Sequence, residues 1–229
     1  ANELKLHLTL ETHAHADHLS GAQWLKTKFD APVAIGDRIV EVQESFKNVF
    51  GMKEFRVDGS QFDRLLHPNE RITVGTLSFT AIATPGHTPA CMSYNFGDAV
   101  FTGDALFLDD LGVGRCDFPK GDAATLYESI TKGIFLLPPT TKIYVGHDYP
   151  PASRSWNSNT TVAQARLHNA QINEAISKEE FVAKRTARDR SLSAPRLLLP
   201  SLQVNIAAGR LPEADATGRR YLKLPLIEP

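Results

Sequence analysis

Between Thr12 and His18 the chain reads Thr-His-Ala-His-Ala-Asp-His, so His13, His15, Asp17 and His18 fall within six positions. Imidazole and carboxylate are the side chains that bind zinc or iron at neutral pH. Eight histidines in 229 residues is an ordinary number, and a polar loop rich in histidine is the bland reading. H-x-H-x-D-H in a single turn is a much narrower pattern and points to metal. Three further stretches put His or Asp beside Gly or Thr. They are Thr84-Pro85-Gly86-His87-Thr88, then Thr102-Gly103-Asp104-Ala105, then Gly146-His147-Asp148-Tyr149. Singly, each reads as a helix cap or a turn. Four such loops at strand ends are hard to explain as caps.

Those loops need elements to carry them. Leu4, Leu6, Leu8 and Leu10 alternate with polar residues, which predicts a half-buried strand over 4–11 that ends at the histidine cluster. Ligands of open α/β sheets gather at that end of a strand. Residues 19–29 then put Leu19, Ala22, Leu25 and Phe29 on one helical face, closed by Asp30-Ala31-Pro32. A short apolar strand, Val33 to Ile35, precedes a second helix on Ile39, Val42, Phe46 and Val49. The β-α-β-α pattern makes the class α/β. Residues 51–69 are loop-rich, with a short segment near Phe62 to Leu66.

The character changes at Arg71. Strands are expected over 71–74, 77–84, 91–96 and 99–102, with turns at Val74-Gly75-Thr76 and Asn95-Phe96-Gly97-Asp98. Short antiparallel strands after βα units indicate a mixed sheet. A helix from Ala123 to Phe135 and a strand from Lys142 to Val145 follow. Residues 151–160 look irregular, Thr160 to Ile176 helical, and Ser177-Lys178-Glu179-Glu180 opens another helix as a capping box. Arg166, Lys184, Arg185, Arg188 and Arg190 read as a solvated face, with one or two of them as clamps for an anionic substrate in the minority reading. Residues 195–200 and 202–206 are apolar. Domain limits are drawn at 1–155 for the catalytic domain and 156–229 for a helical extension packed on it.

Composition excludes several classes. A formal net charge of −1 gives no electrostatic reason to expect nucleic acid or an anionic membrane. No apolar run approaches the roughly 20 residues that span a bilayer, and no signal peptide is visible. Two cysteines, Cys91 and Cys116, suit a reducing compartment rather than a disulfide scaffold. Cys91 reads as a small buried hydrophobe. Cys116 is taken as a bystander, although the Arg115 charge could lower its pKa. Trp24 and Trp156 read as packing residues. Neither a dinucleotide fingerprint nor a P-loop is present.

Taken together, T-H-A-H-A-D-H, P-G-H-T, T-G-D-A-L-F and G-H-D-Y in this order resemble the metallo-β-lactamase superfamily. The resemblance implies an αββα sandwich with a metal site at one edge. Members normally carry a strand-rich segment before the histidine cluster. The expectation is that those N-terminal strands are absent from this chain and that one sheet is incomplete. Two branches share the four motifs: persulfide dioxygenase, with one iron, and glyoxalase II, a thioester hydrolase with two metals. Gly114-Arg115-Cys116-Asp117-Phe118 is similar to the G-R-x-D-F element of the dioxygenases. The tail, Glu180 to Asp189 and Leu199 to Asn205, is similar to the bacterial β-lactamase-like members of that branch.

By that resemblance one Fe(II) per chain sits on His13, His87 and Asp104, a face that leaves positions open. Arg115 and Tyr149 are the implied catalytic and substrate-binding residues, contacting the glutathione part of glutathione persulfide. That persulfide and O₂ are the implied substrates, and sulfite and glutathione the products, as in sulfide detoxification. His15, Asp17, His18 and His147 either orient the ligands or hold a second metal. In the second case the protein is a glyoxalase II-like hydrolase of glutathione thioesters, with two zinc ions or mixed metals. The Gly114-to-Phe118 element and the tail favour the dioxygenase. A non-enzymatic metal-binding or sensor role predicts lost ligands, and no expected ligand position is lost. The implied partners include no nucleic acid and no membrane. A homodimer is expected because family members commonly self-associate. The location is cytoplasmic, or the mitochondrial matrix in a eukaryote.

Overall fold

The computed structural model describes residues 4–226. The chain forms two compact units, one of residues 1–66 with 193–229 and one of residues 67–192. The segment 156–192 therefore lies in the second unit, and the C-terminal tail in the first.

The first unit holds a parallel sheet of three strands in sequence order, β1 (Thr9–Leu10), β2 (Val33–Gly36) and β3 (Arg64–Leu66). Helices α1 (Ala22–Phe29) and α2 (Ile39–Lys47) supply the crossovers that parallel pairing requires. All four residues of β2 are buried, as expected of a central strand covered on both faces. Of the expected α2 face, Ile39, Val42 and Phe46 are buried and Val49 is exposed. Gln43, which apolar periodicity passes over, is fully buried. Its amide donates to Gln61 Oε1 (2.7 Å) and to the Ile206 carbonyl (3.0 Å), and its oxygen accepts from Gly59 N (3.0 Å). A buried amide is retained only when it is satisfied in this way.

Two expectations for the first unit need correction. The strand expected over 4–11 shrinks to Thr9–Leu10, because β2 offers it only a two-residue register, Thr9 to Val33 and Leu10 to Ala34. Leu4 is 88% exposed. The helix expected from Leu19 starts at Ala22, and only Ala22 of the proposed apolar face is buried. Ser20 is held out of the helix. Its amide donates to Asn205 Oδ1 (2.9 Å), its hydroxyl donates to the Glu11 carboxylate, and its Oγ accepts from Ala22 N (3.0 Å).

The second unit is built on a six-stranded sheet. Its strands are β4 (Glu70–Val74), β5 (Leu77–Ala83), β6 (Met92–Asn95), β7 (Ala99–Phe101), β8 (Lys142–Tyr144) and β9 (Asn159–Thr161), neighbours in that order. All pairs are antiparallel except β7 with β8, whose crossover carries α3 (Ala123–Lys132) and a 3₁₀ turn at Ile134–Leu136. Val100 and Ile143 from the sheet pack with Leu126, Ile130 and Ile134, and with Val162 and Phe181 from α4 (Val162–His168) and α5 (Lys178–Asp189).

Strand β9 lies where an irregular segment was expected. It is polar, so no apolar alternation marks it, and only pairing with β8 makes it a strand. The helix expected over 160–176 stops at His168. Asn169 Oδ1 accepts from Gln171 N and Ile172 N (both 3.0 Å) and turns the chain out of the helix. The Ser177 cap on α5 is present, accepting from Glu180 N (3.2 Å). The Glu180 carboxylate reaches forward to Lys184 rather than back, so the box is half made. Arg185 corrects the solvated-face expectation, because its side chain is only 3% exposed. Trp24 and Trp156, read as packing residues, are 64% and 76% exposed.

Candidate metal centre

In the first unit the turn after β1 packs three imidazoles together. His13 is buried, with Thr12 Oγ1 3.1 Å from its Nδ1. The rings of His13 and His15 lie 4.2 Å apart, and those of His15 and His18 4.4 Å apart. His15 Nε2 lies 3.2 Å from Glu11 Oε2, and His18 Nδ1 lies 3.2 Å from Asp17 Oδ1. One ligand atom each from His15, Asp17 and His18 falls within 4.8 Å of the others, close enough to share a metal ion.

This turn is closed from the far end of the sequence. Helix α6 (Leu198–Asn205) ends on Asn205, which is buried. Its amide nitrogen donates to the carbonyls of His15 and His18, both at 2.8 Å. Its oxygen takes the Ser20 amide. One side chain thus holds three backbone groups of the histidine turn. The sequence places Asn205 in a tail motif but assigns it no task, since no spacing rule links residues so far apart.

In the second unit, the loop after β5 presents His87 and the turn after β7 presents Asp104. The loop after β8 presents His147, Asp148 and Tyr149. His87 Nε2 lies 3.8 Å from Asp104 Oδ2, and His147 Nε2 lies 3.6 Å from Asp104 Oδ1. His87 Nδ1 is 2.6 Å from the Arg115 carbonyl. A carbonyl only accepts, so Nδ1 carries the proton and Nε2 of the neutral ring carries a lone pair. That lone pair faces a carboxylate oxygen. Two acceptors turned toward each other are stabilised by a cation between them, so the donor set fits a metal ion.

The surroundings hold these groups in place. The Gly146 amide donates to the Gly103 carbonyl (3.2 Å), tying the β8 loop to the Asp104 turn. A Cβ on Gly146 would stand 2.8 Å from Asp104 Oδ1, so only glycine leaves the carboxylate its position. Tyr149 is exposed and stacks on His147 (5.6 Å, 17°), while Phe107 meets the same ring edge-on (6.1 Å). Arg154 spans Asp148 and Asp110 with two hydrogen bonds to each, between 2.6 and 3.1 Å. Hydrogen bonds from that guanidinium hold the Asp148 carboxyl below its usual range.

Arg115 lies in the loop between β7 and α3. Its Nε and Nη2 donate to both carboxylate oxygens of Asp117 at 2.6 Å, so its two-pronged face is turned on a neighbour. That pairing lowers the Asp117 pKa. Cys116 is buried, and burial first and the Asp189 charge second push its thiol up, the reverse of activation by Arg115. Cys91 is buried too, and desolvation pushes it up to about 12. Neither thiol is a nucleophile at neutral pH. No helix among the described residues is long and apolar enough to cross a membrane.

The model of the metallo-beta-lactamase superfamily matches residues 2–147. Glyoxylase B2 of Dictyostelium discoideum is 50% identical over 228 residues, covering 98% of this chain and 78% of that protein. The mitochondrial persulfide dioxygenase ETHE1 of Homo sapiens is 33% identical over 181 residues, 78% of this chain and 61% of that protein. The crystal structure of ETHE1 from Myxococcus xanthus superposes with a TM-score of 0.73 at 33% identity, over 91% of this chain and 80% of that one. With histidine and aspartate at the strand-end loops of mixed α/β architecture and a family match over more than half its length, this chain belongs to the metallo-β-lactamase superfamily and has its fold.

Proposed function

We propose that the protein is a persulfide dioxygenase, holding one Fe(II) on His13, His87 and Asp104 and converting glutathione persulfide and O₂ to sulfite and glutathione. The likeness to ETHE1 from M. xanthus over 91% of the chain carries this reading. The G-R-x-D-F loop supports it, since the Arg115 carbonyl of that loop sets the tautomer of His87. Iron(II) held there would supply open coordination positions and a redox couple for the reaction of O₂ with a soft persulfide sulfur.

The chain's own groups do the rest. His87 donates its Nδ1–H to Arg115 O, which orients the ring and leaves Nε2 as the atom for the metal. Asp104 offers a carboxylate between two imidazoles. Arg115 and Tyr149 take the glutathione portion. Asp117 holds the Arg115 guanidinium in one place, and stacking on His147 does the same for the Tyr149 ring. The overall change balances as persulfide plus O₂ plus water giving thiol, sulfite and two protons. The test is oxygen uptake by Fe(II)-loaded protein on adding glutathione persulfide, with iron and sulfite measured on the same sample. Uptake proportional to iron, with sulfite formed, is expected. No uptake from a sample holding one iron per chain would overturn the reading.

A second reading has its own support. His15, Asp17 and His18 converge closely enough for another ion, and the relative from D. discoideum is named a glyoxylase. On that reading His15, Asp17 and His18 would hold a second ion, and the two ions would supply an activated water for cleaving a glutathione thioester. Two metals per chain and thioester cleavage without oxygen uptake would favour it.

A further inference from the structure

Beneath the loop that carries Arg115 lie two side chains the proposed chemistry does not use. Arg185 and Asp189 are one turn apart on α5, with side chains 3% and 6% exposed. Arg185 Nη2 donates to Asp189 Oδ1 at 2.5 Å, and Nη1 donates to Gln171 Oε1 (2.9 Å) and the Val113 carbonyl (3.3 Å). A buried ion pair is a weak source of stability, because desolvating two charges offsets most of their attraction. Apolar residues of similar volume would dock α5 as well. What they could not supply is the second oxygen of Asp189, which accepts from the Cys116 amide at 2.9 Å.

That amide and the Arg115 carbonyl are the two ends of one peptide group. The carbonyl end takes the Nδ1 proton of His87 at 2.6 Å. Arg185, Asp189, the 115–116 peptide and His87 therefore form a single file of hydrogen bonds. A carboxylate at the N–H end of a peptide pushes electron density toward its oxygen, and bonds in such a chain strengthen one another. A more basic carbonyl draws harder on Nδ1–H, which raises the basicity of Nε2. A carboxylate bonded directly to a metal-binding histidine has this effect in many proteins. Here the same effect would be transmitted across one peptide group.

We infer that Asp189, held by Arg185, is a positioning residue that orients His87 and raises its strength as a metal ligand through the Arg115–Cys116 peptide. The inference rests on His87 being a ligand, as proposed above. Removing a carboxylate directly behind a ligand histidine costs about 10- to 100-fold in metal affinity. One peptide further out, the loss should be about three- to tenfold.

The test uses the full chain without metal, titrated with Co(II) against a chromophoric chelator. The His87 Nδ1–H proton resonance, assigned by its loss in His87→Ala, is followed in parallel. Asp189→Asn keeps size and an acceptor oxygen but removes the charge. It should bind the first Co(II) about three- to tenfold more weakly and move the His87 proton upfield, and it should unfold more easily because the buried Arg185 charge loses its partner. The paired variant Arg185→Met with Asp189→Leu removes the buried charges together and should fold at least as stably. A role confined to docking α5 would leave that variant's affinity and resonance as in the wild type. Wild-type affinity and an unmoved resonance in either folded variant would overturn the inference. Unchanged Co(II) binding in His87→Ala would instead remove the ligand assignment on which the inference rests.

Discussion

At the scale of single residues, His87 carries the sharpest expectation. His87→Ala removes both the Nε2 that faces Asp104 and the proton held by Arg115 O. Iron content and turnover should both fall to background, read by metal analysis and oxygen uptake. A variant retaining full iron and rate would show that His87 is not a ligand. Arg115→Ala should leave iron content nearly intact and raise KM for glutathione persulfide. Losing a charge-assisted hydrogen bond to substrate costs about 1.5–3 kcal/mol, or roughly 10- to 100-fold. An unchanged KM would take Arg115 out of the substrate site. The residue types and loop positions are legible in the sequence. The pairing of Arg115 with Asp117, and the burial that keeps Cys116 inert, are not. The first is a side-chain geometry between residues two apart, which the sequence allows without specifying, and the second follows from where the loop packs.

At the scale of elements, caps and clamps hold the loops. Asp122 caps α3 by accepting from the Thr125 hydroxyl (2.6 Å) and amide (2.7 Å). The Thr125 hydroxyl first, and its amide second, lower the Asp122 pKa. A carboxyl depressed in the folded state stabilises fully above its unfolded value of about 4, and that contribution is lost as pH falls through the folded value. Asp122→Ala should therefore cost about 1 kcal/mol at neutral pH in urea unfolding, with the gap to wild type closing in acid. Asn205→Ala removes one side chain that serves the His15 and His18 carbonyls and the Ser20 amide. A loss of about 1–3 kcal/mol is expected, measured the same way. Gly86 sits at φ +136°, and a Cβ there would run into the Leu126 backbone, so Gly86→Ala should displace the loop that presents His87. Loss of soluble folded protein, or of metal binding in what folds, would register this. Apolar periodicity in the sequence is strong enough to mark α2 and α3. It cannot mark β9, whose residues are polar, or the end of α4, where the Asn169 side chain competes with the helix for backbone amides.

For the whole molecule, a metal that binds only the native chain adds stability by mass action, about 2.7 kcal/mol at a hundredfold excess over Kd. For a chain of this size that corresponds to a shift in Tm of roughly 5–10 °C. Scanning calorimetry with and without a chelator should show it, and an unchanged Tm would speak against a tightly held ion. Acid should act in the same direction as the chelator, because ligand imidazoles must be unprotonated to bind.

The sequence by itself determined the chemistry available. Four loops rich in His, Asp and Gly stand at strand ends, and their order marks the superfamily. That information is local, written in residue types a few positions apart. Tertiary structure decided which distant groups stand behind those loops. Asn205 reaches back to the histidine turn, and Asp189 and Arg185 lie under the peptide that holds His87. A buried arginine looks like a solvated one in a sequence, because helical charge patterns do not reveal what packs above them. Only packing brings a carboxylate on α5 within 2.9 Å of a peptide 73 residues earlier, and with it a charge behind a candidate ligand.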